Sequence, residues 1–433
     1  MNKNNLKKWL QKMLKIMAVL VLKKYNPKII SVTGSVGKTS TKEAIFAVVA
    51  SRFRVRRNEK NYNNEIGIPL TIIGVYSGQN SVCRWCWVFL KWLAVIIFPT
   101  EYPEVLILEM GADRPGDIKY LTGFINSNIG VITDVSPSHI EFFKNIEAIA
   151  AEKGILIQKL EEGNLAVLCS DNPSVIKMQE SAKAGVITYG FSEKAQMRAT
   201  DISFIYDGGQ VRGLSFKLNY NGTSLPVRLG NIIAKHHIYA ALAAAAVGIG
   251  LKINLVDAAA ALENFTLPQG RMNLLEGIKN SMVIDDTYNS SPKATAFALE
   301  TLKEIEAVRK IAVLGDMLEL GEETEKDHEE LGREFLENKI DIFLAVGRRM
   351  KSAADYLEKH GLSGENIFSF DNPTEAGKKL AEILKEGDLI LVKGSQGMRM
   401  EKTVEEIIAE PQKISELLCR QNKEWKAIPF KEV

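Results

Sequence analysis

The sequence predicts an α/β protein in which a phosphate-loop domain is followed by a Rossmann-like domain. Three observations carry that prediction. Residues 29–32 are a β-branched run, Gly34-Ser35-Val36-Gly37-Lys38-Thr39 is a glycine turn, and 42–50 reads as a helix. After Pro268-Gln269-Gly270-Arg271-Met272 the chain alternates regularly between strands and helices. With 433 residues, 46% hydrophobic and 25% charged, the chain can support two or three domains with proper cores. The expected divisions are a basic helical segment over 1–28, a first domain over 29–267 and a second over 268–433.

The first segment places Leu6, Trp9, Leu10, Met13, Leu14, Met17 and Val21 at helical spacing, with Lys7, Lys8, Lys12 and Lys15 between them. This predicts an amphipathic basic helix over 5–24. A secretory signal fits poorly, because the apolar run 16–22 is short and no small-residue cleavage site follows. The helix is expected to pack on the protein or to lie in an anionic membrane interface. Residues 1–28 hold eight lysines and no acid, while the whole chain is only +2. Such a balance gives no general case for nucleic acid.

The glycine turn carries the chemistry. Gly34 and Gly37 let backbone N–H groups, with those of Ser35, Val36 and Ser40, converge on an anion at a helix N-terminus. Lys38 can reach β- and γ-phosphates, and the Thr39 hydroxyl can hold Mg²⁺. The glycine spacing is one residue shorter than in the usual P-loop. An ordinary glycine turn, however, explains neither the Lys-Thr pair nor the flanking strand and helix. Nucleotide binding is the expectation.

Further along, Asn61-Tyr62-Asn63-Asn64-Glu65-Ile66-Gly67-Ile68-Pro69 is a polar loop in which Asn63 and Asn64 are candidates for substrate contact, against ordinary capping duty. Residues 82–98 hold three of the five tryptophans but contain Arg84 and Lys91 and are short for a span. An apolar helix packed internally or touching a bilayer is expected. Cys83 and Cys86 have CxxC spacing without a second ligand pair, and packing thiols are the expectation. Four scattered cysteines suit a reducing, cytoplasmic setting.

A strand over 104–109 ends in Glu109, the place for a metal ligand or a water-orienting acid. Another over 130–134 is followed by His139, and a helix over 146–160 carries Glu152 and Lys153. Several short strands fill 164–230, with turns at Asp207-Gly208-Gly209 and Asn221-Gly222. His236-His237 then opens an alanine-rich helix, with no acid or cysteine at ligand spacing. In the second domain, strands are expected at 282–285, 310–314, 342–346 and 389–392. Their ends carry Asp285-Asp286-Thr287-Tyr288-Asn289, Gly315-Asp316-Met317 and Lys393-Gly394-Ser395, which should face one cleft.

Taken in order, these residues resemble the Mur ligase family, and within it the MurF type. The likeness runs from about residue 29 to 405. It rests on Thr33-Gly34-Ser35-Val36-Gly37-Lys38-Thr39-Ser40, Asn63-Asn64-Glu65-Ile66-Gly67, Glu109-Met110-Gly111-Ala112-Asp113, and His139 with Lys153. In the second half it rests on Gly270-Arg271-Met272, 285–292, 315–321 and Lys393-Gly394-Ser395. The family's short phosphate loop matches the spacing seen here. The resemblance implies a P-loop-type Mur ligase central domain and a Rossmann-like C-terminal ligase domain. It also implies ATP-dependent amide formation in peptidoglycan precursor synthesis, through an acyl phosphate.

By the same resemblance, Lys38 and the loop hold the phosphates, Thr39 and Glu109 hold one Mg²⁺ and His139 a second. Lys153 matches a lysine that several members carry as a carbamate. Arg271 reaches ATP, Asn289 and Asp316 line the nucleotide, and Lys393 and Ser395 meet the amine or phosphate. The two domains close to assemble this set. D-alanyl-D-alanine is the implied amine and a muropeptide the acceptor; another amine, or a non-catalytic nucleotide-binding scaffold, are the alternatives.

Two departures stand out. His236-His237-Ile238-Tyr239-Ala240 replaces the family's His-Asn-x-x-Asn near the adenine. The family's N-terminal UDP-sugar domain has no counterpart before the phosphate strand. Docking of 1–24 and 82–98 on the inner face of the membrane, with a lipid-linked acceptor, is the expectation drawn from that.

Overall fold

The computed structural model describes residues 3–427 except 60–61, 80 and 138–141. The chain divides into two compact units. One comprises residues 1–202, 216–228 and 236–265, the other 203–215, 229–235 and 266–433.

The first unit opens with α1 (Lys3–Tyr25), which buries Leu14, Met17, Ala18 and Val21. β1 (Lys28–Thr33) feeds the glycine loop, and α2 (Lys38–Ala50) leaves it. There follow β2 (Val55–Arg57), α3 (Gly67–Ile73), α4 (Val82–Ile97), β3 (Val105–Glu109), α5 (Asp117–Thr122) and β4 (Ile129–Ile132). Then come α6 (Ile146–Gln158), β5 (Leu165–Cys169), α7 (Pro173–Ile176) and β6 (Gly185–Gly190). β1 lies between β3 and β4, parallel to both, with β2 outside β3 and β5 and β6 beyond β4. Chain order therefore reverses direction about β1, and its carboxyl end is a topological switch point, where α/β sheets take ligands. β3 is buried along its whole length, as its continuous Val-Leu-Ile-Leu run requires of a covered parallel strand.

The same sheet continues through β7 (Met197–Asp207), β8 (Gln210–Tyr220) and β9 (Thr223–Gly230). The two-residue turns between them are the predicted ones. Gly208 and Gly209 take φ of 56° and 79°, and Asn221 and Gly222 take 47° and 78°, the left-handed pairs of type I′ hairpins. α8 (His236–Gly250) lies against α2, its alanines allowing close approach, and α9 (Leu255–Leu262) follows.

The second unit holds β10 (Asn273–Gly277), β11 (Ser281–Asp286), α10 (Pro292–Glu304), β12 (Arg309–Gly315), α11 (Thr324–Glu337), β13 (Ile342–Val346) and α12 (Lys351–Lys359). It ends with β14 (Ile367–Phe370), α13 (Pro373–Ile383), β15 (Asp388–Lys393), α14 (Glu401–Glu405), α15 (Ile414–Leu417) and α16 (Lys423–Lys426). The strand order is β10-β11-β15-β12-β13-β14, parallel except for β10. Alternate residues feed two cores, one with Ile284, Leu314 and Leu391, the other with Val283, Val313 and Val392. The Rossmann-like alternation is as expected. β10 and β14 are additions at the two edges. Both are short, and β14 is only half-buried, so neither has a strong apolar run to announce it.

Candidate active site

The loop after β1 is shaped by contact with the end of β4. At Gly34 the backbone passes so close that a Cβ would stand 1.9 Å from Thr133 Oγ1. Thr133 Oγ1 donates to Val36 O at 2.6 Å, and Ser35 N–H donates to Asp134 O at 2.8 Å. Ser35 Oγ donates to Ser136 O at 2.9 Å and accepts from Ser136 N–H at 3.1 Å. Gly37 turns the chain into α2 with φ of 82°, and no side chain caps that helix. The first-turn N–H groups of Lys38, Thr39 and Ser40 therefore sit at the positive end of the helix, as an anion site requires. Lys38 Nζ folds back over the loop, donating to Gly34 O at 2.7 Å and Ser35 O at 3.2 Å.

Gly34→Ala is expected to cost about 2–4 kcal/mol of stability, or to push the loop off β4 and abolish nucleotide binding. Thermal unfolding and ADP titration check this. Gly116→Ala is the control: its φ is 99° but nothing lies within 4 Å of the added carbon, so about 1 kcal/mol is expected.

β1 and β3 run in a register that pairs Val32 with Glu109. Glu109 is buried at the strand end beside the loop. Asn63 Nδ2 donates to its Oε1 at 3.2 Å, and Lys42 Nζ stands 3.7 Å from its Oε2. Oε2 has no hydrogen bond among the described residues. Asn58, fully buried, braces the arrangement. Its Oδ1 accepts from Glu109 N–H at 2.8 Å, its Nδ2 donates to Glu109 O at 3.0 Å, and its O accepts from Lys42 Nζ at 2.8 Å. A carboxylate oxygen of this kind, with the Thr39 hydroxyl, fits Mg²⁺, which takes one or two protein oxygens and fills its octahedron with phosphate oxygens and water. Among the described residues no three His, Cys, Asp or Glu side chains cluster. His139 lies outside the described residues.

α6 brings Lys153 into the interior, 2% exposed. Burial is the largest cause, and the Lys38 charge the second, that push its pKa down to about 8; Asp113, Asp134 and Glu152 oppose them. An amine titrating there is partly neutral near pH 8 and can take up CO₂ as a carbamate, so the residue fits the modification that the resemblance implies. Its neighbour Glu152 is structural: its carboxylate accepts from Gly116 N–H at 2.9 Å and Ile118 N–H at 2.7 Å, capping α5. Asn64 has a similar duty, its Oδ1 accepting from Ile66 and Gly67 N–H at 3.1 and 2.9 Å at the start of α3.

In the second unit the three polar clusters do meet, at the carboxyl ends of the adjacent strands β11, β15 and β12. Lys393 Nζ, 2% exposed, is 2.6 Å from Asp286 Oδ2 and donates to Asn289 O at 2.9 Å. Its charge is thus committed to fixing the loop that carries Asn289. Ser395 Oγ accepts from Leu318 N–H at 2.8 Å, and Asp316 O accepts from Ser395 N–H at 3.1 Å. Asp316 Oδ1 accepts from Met350 N–H at 2.8 Å; burial raises its pKa, with that bond among the opposing causes. The Arg271 guanidinium lies 4.2 Å from the Tyr288 ring centroid.

Several supporting residues carried no sequence signal. Asn58 and Lys42 act through tertiary register. Arg420, after α15, donates to Thr287 O at 2.9 Å and Tyr288 O at 2.6 Å, and to Glu401 Oε2 at 2.6 Å. Glu401 also accepts from Arg399 Nε at 2.5 Å, so the C-terminal segment props the Asp285–Asn289 cluster from behind. In α8 the His236 and His237 ring centroids lie 4.1 Å apart with the planes tilted by 51°, His237 and Ala240 stand at the family's amide positions, and the intervening Tyr239 OH donates to Asp171 Oδ2 at 2.9 Å. Cys83 and Cys86 are exposed on α4 rather than packed.

Known proteins resemble this chain in sequence and in fold. Residues 94–248 match the Mur ligase middle domain, and 270–396 the Mur ligase, glutamate ligase domain. UDP-N-acetylmuramoyl-tripeptide–D-alanyl-D-alanine ligase of Bacillus subtilis (strain 168) is 29% identical over 398 residues, covering 91% of this chain and 79% of that protein. The enzyme of the same name from Rickettsia prowazekii (strain Madrid E) is 30% identical over 384 residues, covering 87% and 77%. The crystal structure of MurF ligase from Thermotoga maritima in complex with ADP aligns with a TM-score of 0.72 at 26% identity, over 94% of this chain and 84% of that one. The chain belongs to the Mur ligase family, and within it to the MurF type.

Proposed function

We propose that this chain joins the terminal carboxylate of a muramoyl tripeptide to the amino group of D-alanyl-D-alanine at the expense of ATP. The observation that carries the reading is the anion loop at 34–39 with buried Glu109 at the neighbouring strand end. An acceptor carboxylate oxygen attacks the γ-phosphorus, the bond to the β,γ-bridging oxygen breaks, and ADP departs. The amine nitrogen then attacks the acyl phosphate carbonyl, loses a proton, and phosphate leaves with the C–O electron pair. Negative charge grows on oxygen in both steps, so the chain's task is to supply cations and N–H donors.

Lys38 and the N–H groups of 34–40, apart from that of Ser35, which is bonded to Asp134 O, hold the β- and γ-phosphates in this reading. Thr39 and Glu109 would hold a magnesium ion, with His139 and carbamylated Lys153 serving a second. Bound there, the metal supplies positive charge against phosphate oxygens. Asn63 keeps the Glu109 carboxylate aimed. Arg271, Asn289 and Asp316 serve the nucleotide from the second unit, and Ser395 the amine or phosphate. Lys393 acts by holding Asn289 in place.

The protein would work in the cytoplasm, with peripheral contact to the inner face of the membrane through α1 and α4. That contact favours a lipid-linked acceptor as a second substrate beside the soluble UDP-linked one. The test is ligation with each acceptor in turn, offering D-alanyl-D-alanine, single amino acids or ammonia, read by mass spectrometry. ATP-dependent product with the dipeptide is expected. No product with any pair would leave a nucleotide-binding scaffold instead.

A further inference from the structure

α4 is an apolar helix that its own unit scarcely covers. Of its 16 residues only Val88 and Val95 are buried, while Val82, Trp87, Phe89, Leu90 and Ile97 are between 46% and 77% exposed. α1, packed against it, has a divided apolar surface. The face that the periodicity assigns to one side is split: Leu14, Met17 and Val21 are buried, but Trp9 is 58% exposed, together with Ile16 and Leu20. Residues 9, 16 and 20 fall within about 40° of one another on a helix, so they form one outward line.

Contacts set the alignment of the pair. Trp92 Nε1 donates to Met17 O at 3.1 Å; farther along, Lys24 Nζ donates to Val95 O, Ile96 O and Phe98 O at 2.8–3.0 Å. Both helices thus advance in the same sense, and at about 1.5 Å per residue Trp9 is level with the Arg84 end of α4. Neither helix contains an acid: α1 carries seven lysines, and α4 carries Arg84 and Lys91. At the exposed end, Arg84, Trp87 and Lys91 share one face by their i, i+3, i+7 spacing. With Gly74, Val75, Tyr76 and Ser77 they line an open cleft of about 230 Å³. Glu59 stands behind it, accepting from Tyr76 OH at 3.0 Å.

We infer that α1 and α4 lie in the headgroup layer of an anionic bilayer, and that the Arg84–Trp87–Lys91 face seats a lipid phosphate. The inference rests on the bilayer contact proposed above and gives it a binding site. Exposed apolar side chains on two helices whose own charges are all positive, with tryptophans at the boundary, match an anionic interface; the acids beside them are Glu59 behind the cleft and Glu65 next to Lys7. A second copy of the chain is a poor cover, because a two-fold contact would set the same cations against each other. Spanning is a different matter: among the described residues no helix is long and apolar enough to cross a membrane.

The experiment is flotation of the full chain with phosphatidylcholine vesicles, with and without phosphatidylglycerol, at low and high salt, beside light scattering of the chain alone. The wild type should float only with the anionic vesicles and release in salt. R84Q/K91Q should lower partitioning at least tenfold, since each interfacial cation contributes about fivefold. W87S/L90S should also lower it, and K194Q/K252Q should leave it unchanged. All variants should keep ligation of a soluble acceptor, which separates this site from the ligase reading. Wild-type protein indifferent to lipid charge would overturn the bilayer contact itself. Normal flotation of R84Q/K91Q would overturn the phosphate seat alone. A lipid-indifferent dimer dissolved by W87S/L90S would assign the surface to a second copy and overturn the inference.

Discussion

Lys38→Ala is expected to lower kcat for ligation by about 10²–10³-fold, a typical loss when one preorganised donor to developing negative charge is removed. The folded protein should survive. Lys38 is half-buried, and the bonds to the carbonyls of Gly34 and Ser35 that the substitution removes contribute about 1–2 kcal/mol together. The loop's path is set elsewhere, by Thr133, Asp134 and Ser136. A second consequence is specific to this geometry. The Lys38 charge is one of the causes that depress Lys153, so its removal should raise the Lys153 pKa above about 8. Steady-state kinetics and a pH profile of the variant check both points.

Lys153 provides the other large effect. With its pKa pushed down to about 8, the neutral amine fraction grows as pH rises from 7 to 9. Neutral Nζ attacks CO₂, forming an N–C bond and releasing one proton, so the carbamate should accumulate with pH and with bicarbonate. Activity should follow in the same direction, and Lys153→Met should reduce it by about 10²-fold or more. A carbamate signal from ¹³C-bicarbonate should be present in the wild type and lost in the variant.

The stability effect has the opposite sign. The folded-state pKa lies below the unfolded one, so burying the charge destabilises the fold below about pH 8. That penalty fades as pH rises to the ordinary lysine value, because the unfolded chain binds the extra proton in between. Lys153→Met should therefore unfold at a higher temperature at pH 7, with a gain of up to about 3 kcal/mol. A less active but more stable variant is the combination expected of a lysine kept for chemistry.

What the sequence made legible is what is local. The glycine loop, the acid at the end of β3 and the polar ends of β11, β12 and β15 each announce themselves within a few residues, because strand, turn and helix signals are short-range. Asn58 was not legible. Its importance lies in a register that brings it against Glu109, and no spacing encodes that. Arg420 is further removed still: it props Thr287 and Tyr288 from over a hundred residues away. Lys393 reads as a substrate contact in sequence, yet the fold spends its charge on Asp286. α1 shows the limit of periodicity. A wide apolar stripe tells that a helix has something to cover, but only the neighbours α3 and α4 decide which part is covered and which, like Trp9, is left out.

The most direct measurement uses acceptor peptide carrying ¹⁸O in its terminal carboxylate, with ATP and D-alanyl-D-alanine, and mass analysis of the phosphate released. Transfer of one ¹⁸O to each phosphate, coupled one-to-one with amide product, is the expected result. Unlabelled phosphate alongside amide product would contradict the acyl-phosphate route.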